Sequence, residues 1–252
     1  MEARGGRVSR HNEGLSPPAL ARLGGLLYLV VILAGLFSEI FARGSLVVAG
    51  DAAATASHLR ASEGLWRAGV AVELVACAYT VGLAWILYGL LRVVDRNLAL
   101  LMLCFDVIAI GLQAAFELNL LAALFPLGSA AYLKAFTPGQ LDALAYLAVR
   151  SHTFGFGICL FFFGLVFPIR GYLIARSGFL PRVVGVLVTI AGIGYIANGF
   201  AMVLAPTIAG TLFMFVAAPI LAGEGSLCLW LLVKGVNVEK WRLLGSREEI
   251  PT

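Results

Sequence analysis

Residues 22–42 read RLGGLLYLVVILAGLFSEIFA. The run is too long for the apolar stretch of a signal peptide, and Glu39 precedes any plausible cleavage site, although Arg4, Arg7 and Arg10 upstream imitate a leader. It reads as a retained membrane-spanning helix. Five more runs of the same kind follow, at about 65–91, 97–124, 151–173, 182–204 and 211–233. Of the 252 residues, 61% are hydrophobic and 13% charged, with a mean hydropathy of +0.95. Soluble domains carry about 25% charged residues. A chain of this balance cannot hide its apolar surface in one aqueous core. The expected fold is therefore all-α: a polytopic bundle of six transmembrane helices, residues 19–235, inside a lipid bilayer.

The boundaries follow from local chemistry. Residues 1–18 are polar and rich in Gly and Arg, and read as a disordered tail. Asp51 can cap a short helix, Ala52–Ser62, at the membrane surface in the first outer loop. Thr137-Pro138-Gly139-Gln140 reads as a helix start, with Thr as cap, Pro in the first turn and Gln at the third position. That second-loop helix is expected to run through Arg150 into the fourth span, which Arg176, Ser177 and Gly178 break. Pro181 opens the fifth span and Pro206 follows it. Residues 236–252 form a short basic tail whose expected contact is anionic headgroups.

Lys and Arg set the orientation. With the N-terminus inside, thirteen fall on inner segments, Arg170 and Arg176 among them, against Arg43, Arg60, Arg67 and Lys134 outside. Both termini are thus expected on the cytoplasmic face of the inner membrane. No basic cluster interleaved with aromatics suggests nucleic acid. Cys77, Cys104, Cys159 and Cys228 sit inside spans without metal-finger spacing and read as buried apolar thiols.

Within the spans stand residues that hydrocarbon tolerates badly: Glu39, Glu73, Asp106, Gln113, Glu117, His152, Tyr195, Asn198 and Glu224. Each ionisable one is a candidate functional residue. Most gather in the half facing away from the cytoplasm. At 100° per residue, Asp106, Gln113 and Glu117 lie within about 40° of one another, a polar stripe that must face the interior. Tyr28 shares a face with Glu39, and Trp66, Cys77 and Thr80 share one with Glu73. Arg150 and His152 point in nearly opposite directions. His152 is expected inside, with Arg150 reaching the interface or pairing with Asp142.

Three functions are compatible with this constellation. The first is binding or translocation of a proton, a cation or a small cationic solute, with Glu73, Glu117 and Glu224 as exchangeable carboxylates. The second is an intramembrane enzyme acting on a lipid-like substrate, with His152, Glu73, Glu117 and Glu224 as metal ligands. It is weakened by the lack of a second histidine in the membrane. The third is a structural or accessory subunit whose polar groups are interhelical hydrogen-bonding pairs. The residues specify no cofactor, substrate or oligomeric state.

Five stretches also resemble a bacterial membrane-protein family known as domain of unknown function 4386. They are Ala21–Arg43 (ARLGGLLYLVVILAGLFSEIFAR), Gly50–Leu59 (GDAAATASHL), Ser62–Leu74 (SEGLWRAGVAVEL), Arg176–Leu187 (RSGFLPRVVGVL) and Gly223–Asn237 (GEGSLCLWLLVKGVN). The polar pieces GD-x-A and SG-x-LPR are the specific part. The resemblance implies a six-helix architecture and no activity. Glu39, Glu73, His152 and Glu224 fall in segments similar to the family's pattern.

Overall fold

The structure is a computed structural model that describes residues 15–248. Of the expected tails at 1–18 and 236–252, residues 1–14 and 249–252 lie outside the described ones; Pro17 and Pro18 open a helix instead, and Val238–Glu248 form another. Among the described residues the fold is all-α, with eight helices of ten residues or more: α1 Pro17–Leu46, α2 Ala52–Ala61, α3 Glu63–Leu91, α4 Arg96–Ala122, α5 Pro138–Ser177, α6 Arg182–Leu204, α7 Pro206–Val233 and α8 Val238–Glu248. Six of them, α1 and α3 to α7, are long and apolar enough to cross a membrane. The chain is a multi-pass membrane protein. Large side chains such as Trp85, Val183, Met214 and Phe215 are exposed on the outside of the bundle, as suits a lipid environment.

The local signals act where the sequence puts them. Asp51 accepts from the Ala54 amide at 2.9 Å and starts α2. Thr137 and Gln140 exchange hydrogen bonds with each other's backbone amides in a complete capping box. The helix they start runs unbroken for 40 residues, through Arg150 and past Pro168, to a left-handed Gly178. At 1.5 Å per residue it is about 60 Å long, twice the hydrocarbon thickness of about 30 Å. Its first turns therefore stand beyond the spans and hold α2: Arg60 pairs with Asp142 at 2.7 Å, and Tyr146 accepts from the Gly50 amide at 2.7 Å. This corrects the pairing of Arg150 with Asp142. Arg150 is exposed and lies over the Phe154 ring instead. Arg60 takes the aspartate because α2 packs directly against that extension.

Consecutive spans run in opposite directions, so the bundle has two ends. One collects residues 92–95, 178–181 and α8. It is closed by the larger apolar core, including Leu87, Leu91, Met102, Leu173 and Leu231. There, Trp241 of α8 donates to the Leu90 carbonyl at 3.0 Å. The other, the connector end, holds α2 and residues 123–137. It is closed by a small core around Leu59, Trp66 and Leu120, with the Trp66 indole donating to the Leu120 carbonyl at 2.8 Å.

Helices α5 and α6 pack almost backbone to backbone. A Cβ on Gly164 would lie 2.8 Å from the Ile196 nitrogen, and one on Gly185 would lie 2.9 Å from the Ala175 nitrogen. Small residues at such crossings let dispersion and close contact replace the hydrophobic drive that lipid removes.

Candidate functional site

Between the two cores the helices surround a partly open space of about 390 Å³. All six spans contribute to its wall, among them Tyr28, Glu73, Asp106, Arg170, Tyr195 and Glu224. Glu39 and Gln113 also reach it, so six of the nine polar residues read from the sequence meet in one place. The rest of the wall is largely apolar and aromatic, with Phe156, Phe163, Phe167 and Phe213 facing in.

The charged groups occupy two levels. Toward the connector end, Arg43 bridges two carboxylates: its Nη2 lies 2.7 Å from Glu39 Oε1 and 3.1 Å from Glu73 Oε1. Gln113 donates to the other Glu73 oxygen at 3.3 Å. Glu73 is buried, whereas the Glu39 side chain is 54% exposed. The backbone makes this bridge possible. Phe37–Arg43 is π-helical, and Ser38 in it donates to the Gly69 carbonyl at 3.2 Å. The wider turn fixes the end of α1 on α3 and delivers Arg43 to Glu73. Such π segments recur at functional positions.

Deeper, Asp106 on α4 and Arg170 on α5 form a buried pair. Arg170 Nη2 lies 3.0 Å and 2.9 Å from the two carboxylate oxygens. The guanidinium also lies 4.9 Å from the centre of the Phe167 ring. At this level Tyr195 donates to Glu224 Oε1, with Tyr28 beside the same carboxylate. Among the described residues, Glu224 makes no ion pair within 4.0 Å, unlike Glu73, Asp106 and Glu117.

Three predicted residues stand apart from the space. His152 and Glu117 are both buried and form their own pair, Nε2 to Oε1 at 3.1 Å, with the imidazole stacked on Phe156. Glu117 Oε2 and Asn198 Oδ1 are buried without a hydrogen-bond partner among the described residues. The four residues named as metal ligands are thus divided among three clusters: His152 with Glu117, Glu73 with Arg43, and Glu224 with Tyr195. Among the described residues no three His, Cys, Asp or Glu side chains converge as a metal site.

Arg170 is the residue the sequence reading misplaced. It counts there among the cytoplasmic loop cations, yet it is 4% exposed inside the bundle. The available signal was Asp106: a carboxylate in mid-span needs a partner, and Arg170 lies more than a turn inside the Gly178 break. Arg43, counted as an outer cation, likewise turns inward. Removing one residue from each side leaves the charge bias in the same direction.

The family model described as domain of unknown function (DUF4386) matches residues 23–235. The chain belongs to this family. The match takes in five spans whole, most of the first and every residue that lines the space, so the polar interior falls within the family domain. Neither the curated proteins nor the solved structures contain a match to the chain.

Proposed function

We propose that the protein binds, and carries across the membrane, a small cation or a proton, with Glu224 as the exchangeable carboxylate. The observation that carries this reading is the uneven pairing of the acids inside the bundle, of which Glu73, Asp106 and Glu117 are buried and Glu224 half-buried. Glu73 and Asp106 are tied to arginines and Glu117 to a histidine, while Glu224 is held by the Tyr195 and Tyr28 hydroxyls, with Arg170 near it but committed to Asp106 and beyond ion-pair contact. A carboxylate in hydrocarbon without a contacting cation is the group that gains most from binding one or from taking up a proton. The surroundings support a cation. Aromatic faces attract positive charge; Arg170 already covers the Phe167 ring, and Phe156, Phe163 and Phe213 also line the space. The volume falls within the range of about 300–1,000 Å³ common for small-molecule sites. Among the described residues no three-ligand cluster gives the metal-enzyme reading comparable support.

The charge bias supports both termini on the cytoplasmic side of the inner membrane, with α2 and the start of α5 at the opposite surface. In that orientation the Arg43–Glu73 level lies on the outer side of the space and the Asp106–Arg170–Glu224 level nearer its middle.

The test is equilibrium binding of tetraphenylphosphonium to the protein in nanodiscs, across a pH series. Wild type is expected to bind saturably, and more weakly as pH falls, because protons and the cation compete for one carboxylate. Glu224→Gln should lose at least about tenfold in affinity, equivalent to about 1.4 kcal/mol, and should lose the pH dependence with it. Equal binding by wild type and Glu224→Gln overturns the proposal.

A further inference from the structure

We infer that the ligand enters sideways from the bilayer, through a window between α1 and α7, and is therefore an amphiphilic cation with a hydrocarbon tail. This rests on the cation reading above, in place of the proton one, and narrows the ligand to an amphiphile while adding its route.

The wall of the space is asymmetric. Its lining residues on α3, α4, α5 and α6 are all buried or half-buried. The exposed ones are Leu36 and Glu39 on α1, and Phe213 and Leu221 on α7. The opening therefore lies between these two helices.

Their packing explains why. Near the core end they are pinned: a Cβ on Gly25 would lie 2.6 Å from the Leu232 nitrogen, and Cys228 Sγ lies 3.5 Å from the Gly25 carbonyl oxygen. Beyond Leu36 the π-helical segment turns onto α3 and packs there, with no more than marginal contact to α7. The two helices thus meet at one end and part toward the other. A Cβ on Gly35, in the gap, would meet nothing within 4 Å.

The depth of the gap decides what can pass. Leu36 and Ala217 are each about 15 Å from the connector ends of their helices, well within the apolar length of a span. The lips carry Leu36, Phe213 and Leu221, all apolar and exposed. A water-soluble ion would have to cross hydrocarbon to arrive there. An amphiphile already in the leaflet reaches the gap by lateral diffusion, with its charged head drawn in toward Glu224 and its chain left between α1 and α7. The Arg43–Glu73–Glu39 bridge, at the connector-end edge of the gap, supplies polar groups along the way for the head.

The experiment compares dodecyltrimethylammonium with tetramethylammonium, using the full chain in nanodiscs. The expected result is saturable binding of the long-chain ion at least about a hundredfold tighter than that of the short one, since apolar burial strengthens binding with each methylene. In wild type, a photoreactive diazirine at the tail terminus should label Leu36, Phe213 or Leu221. Gly35→Trp, at a position where a Cβ meets nothing within 4 Å, should slow association at least about tenfold with thermal stability and Glu224 intact. Loss of binding in Glu224→Gln, with equal affinity for the two ions, label elsewhere and no effect of Gly35→Trp, overturns the window and leaves the cation site standing. Full binding in Glu224→Gln, or no saturable binding of either ion, overturns both.

Discussion

The Asp106–Arg170 pair concentrates the energetics of the interior in two side chains. Both are almost inaccessible, and they sit in a medium where a lone charge is costly. Asp106→Asn leaves Arg170 without its counter-ion and is expected to cost about 3–5 kcal/mol, read as a lowered thermal midpoint in detergent. The double change Asp106→Leu with Arg170→Met removes both charges and should recover most of that loss, because the desolvation of the pair disappears with it. A double variant as unstable as Asp106→Asn would mean that the pair fixes the fold by geometry. Glu224 is of another kind. Its replacement by Gln keeps the volume and an acceptor for Tyr195, so binding should fall while stability is largely kept.

At the scale of elements, glycines determine how closely the spans approach. Gly185 of α6 faces Ala175 of α5, and Gly223 of α7 lies so near α6 that a Cβ would be 2.7 Å from the Leu187 carbonyl oxygen. Gly185→Val must push α5 and α6 apart and is expected to destabilise by at least about 1–3 kcal/mol. Gly111→Val on α4, where a Cβ meets nothing within 4 Å, should be close to neutral. Thermal unfolding of the two variants side by side checks this. The same logic separates Gly25, a pivot between backbones, from Gly35, which faces open space.

For the whole molecule the orientation is the testable quantity. A membrane-impermeant maleimide applied to intact cells should modify Ser129→Cys, in the connector after α4. It should modify Ser246→Cys, in α8, only after the cells are opened. The parent chain controls for Cys104, which is exposed on α4. The reverse pattern would invert the bundle and place the Arg43–Glu73 level on the cytoplasmic side.

The sequence by itself determined the parts governed by local or solvent physics. Apolar length against bilayer thickness defines six spans. Thr137, Gln140, Asp51 and Gly178 mark helix ends because capping is a matter of a few adjacent residues. The angular stripe of Asp106 and Gln113 points inward because lipid cannot satisfy such groups. Only the tertiary structure decided the partners. Arg43 and Arg170 look like flanking cations in the chain, and become interior ones because a π-helical turn and a 40-residue helix carry them to carboxylates on other spans. His152 and Glu117 separate from the central space for the same reason. Which side chains meet depends on helix register and rotation. Those are set by glycine crossings such as Gly25 on Leu232, where the contact is between backbones and leaves no periodic trace in the sequence.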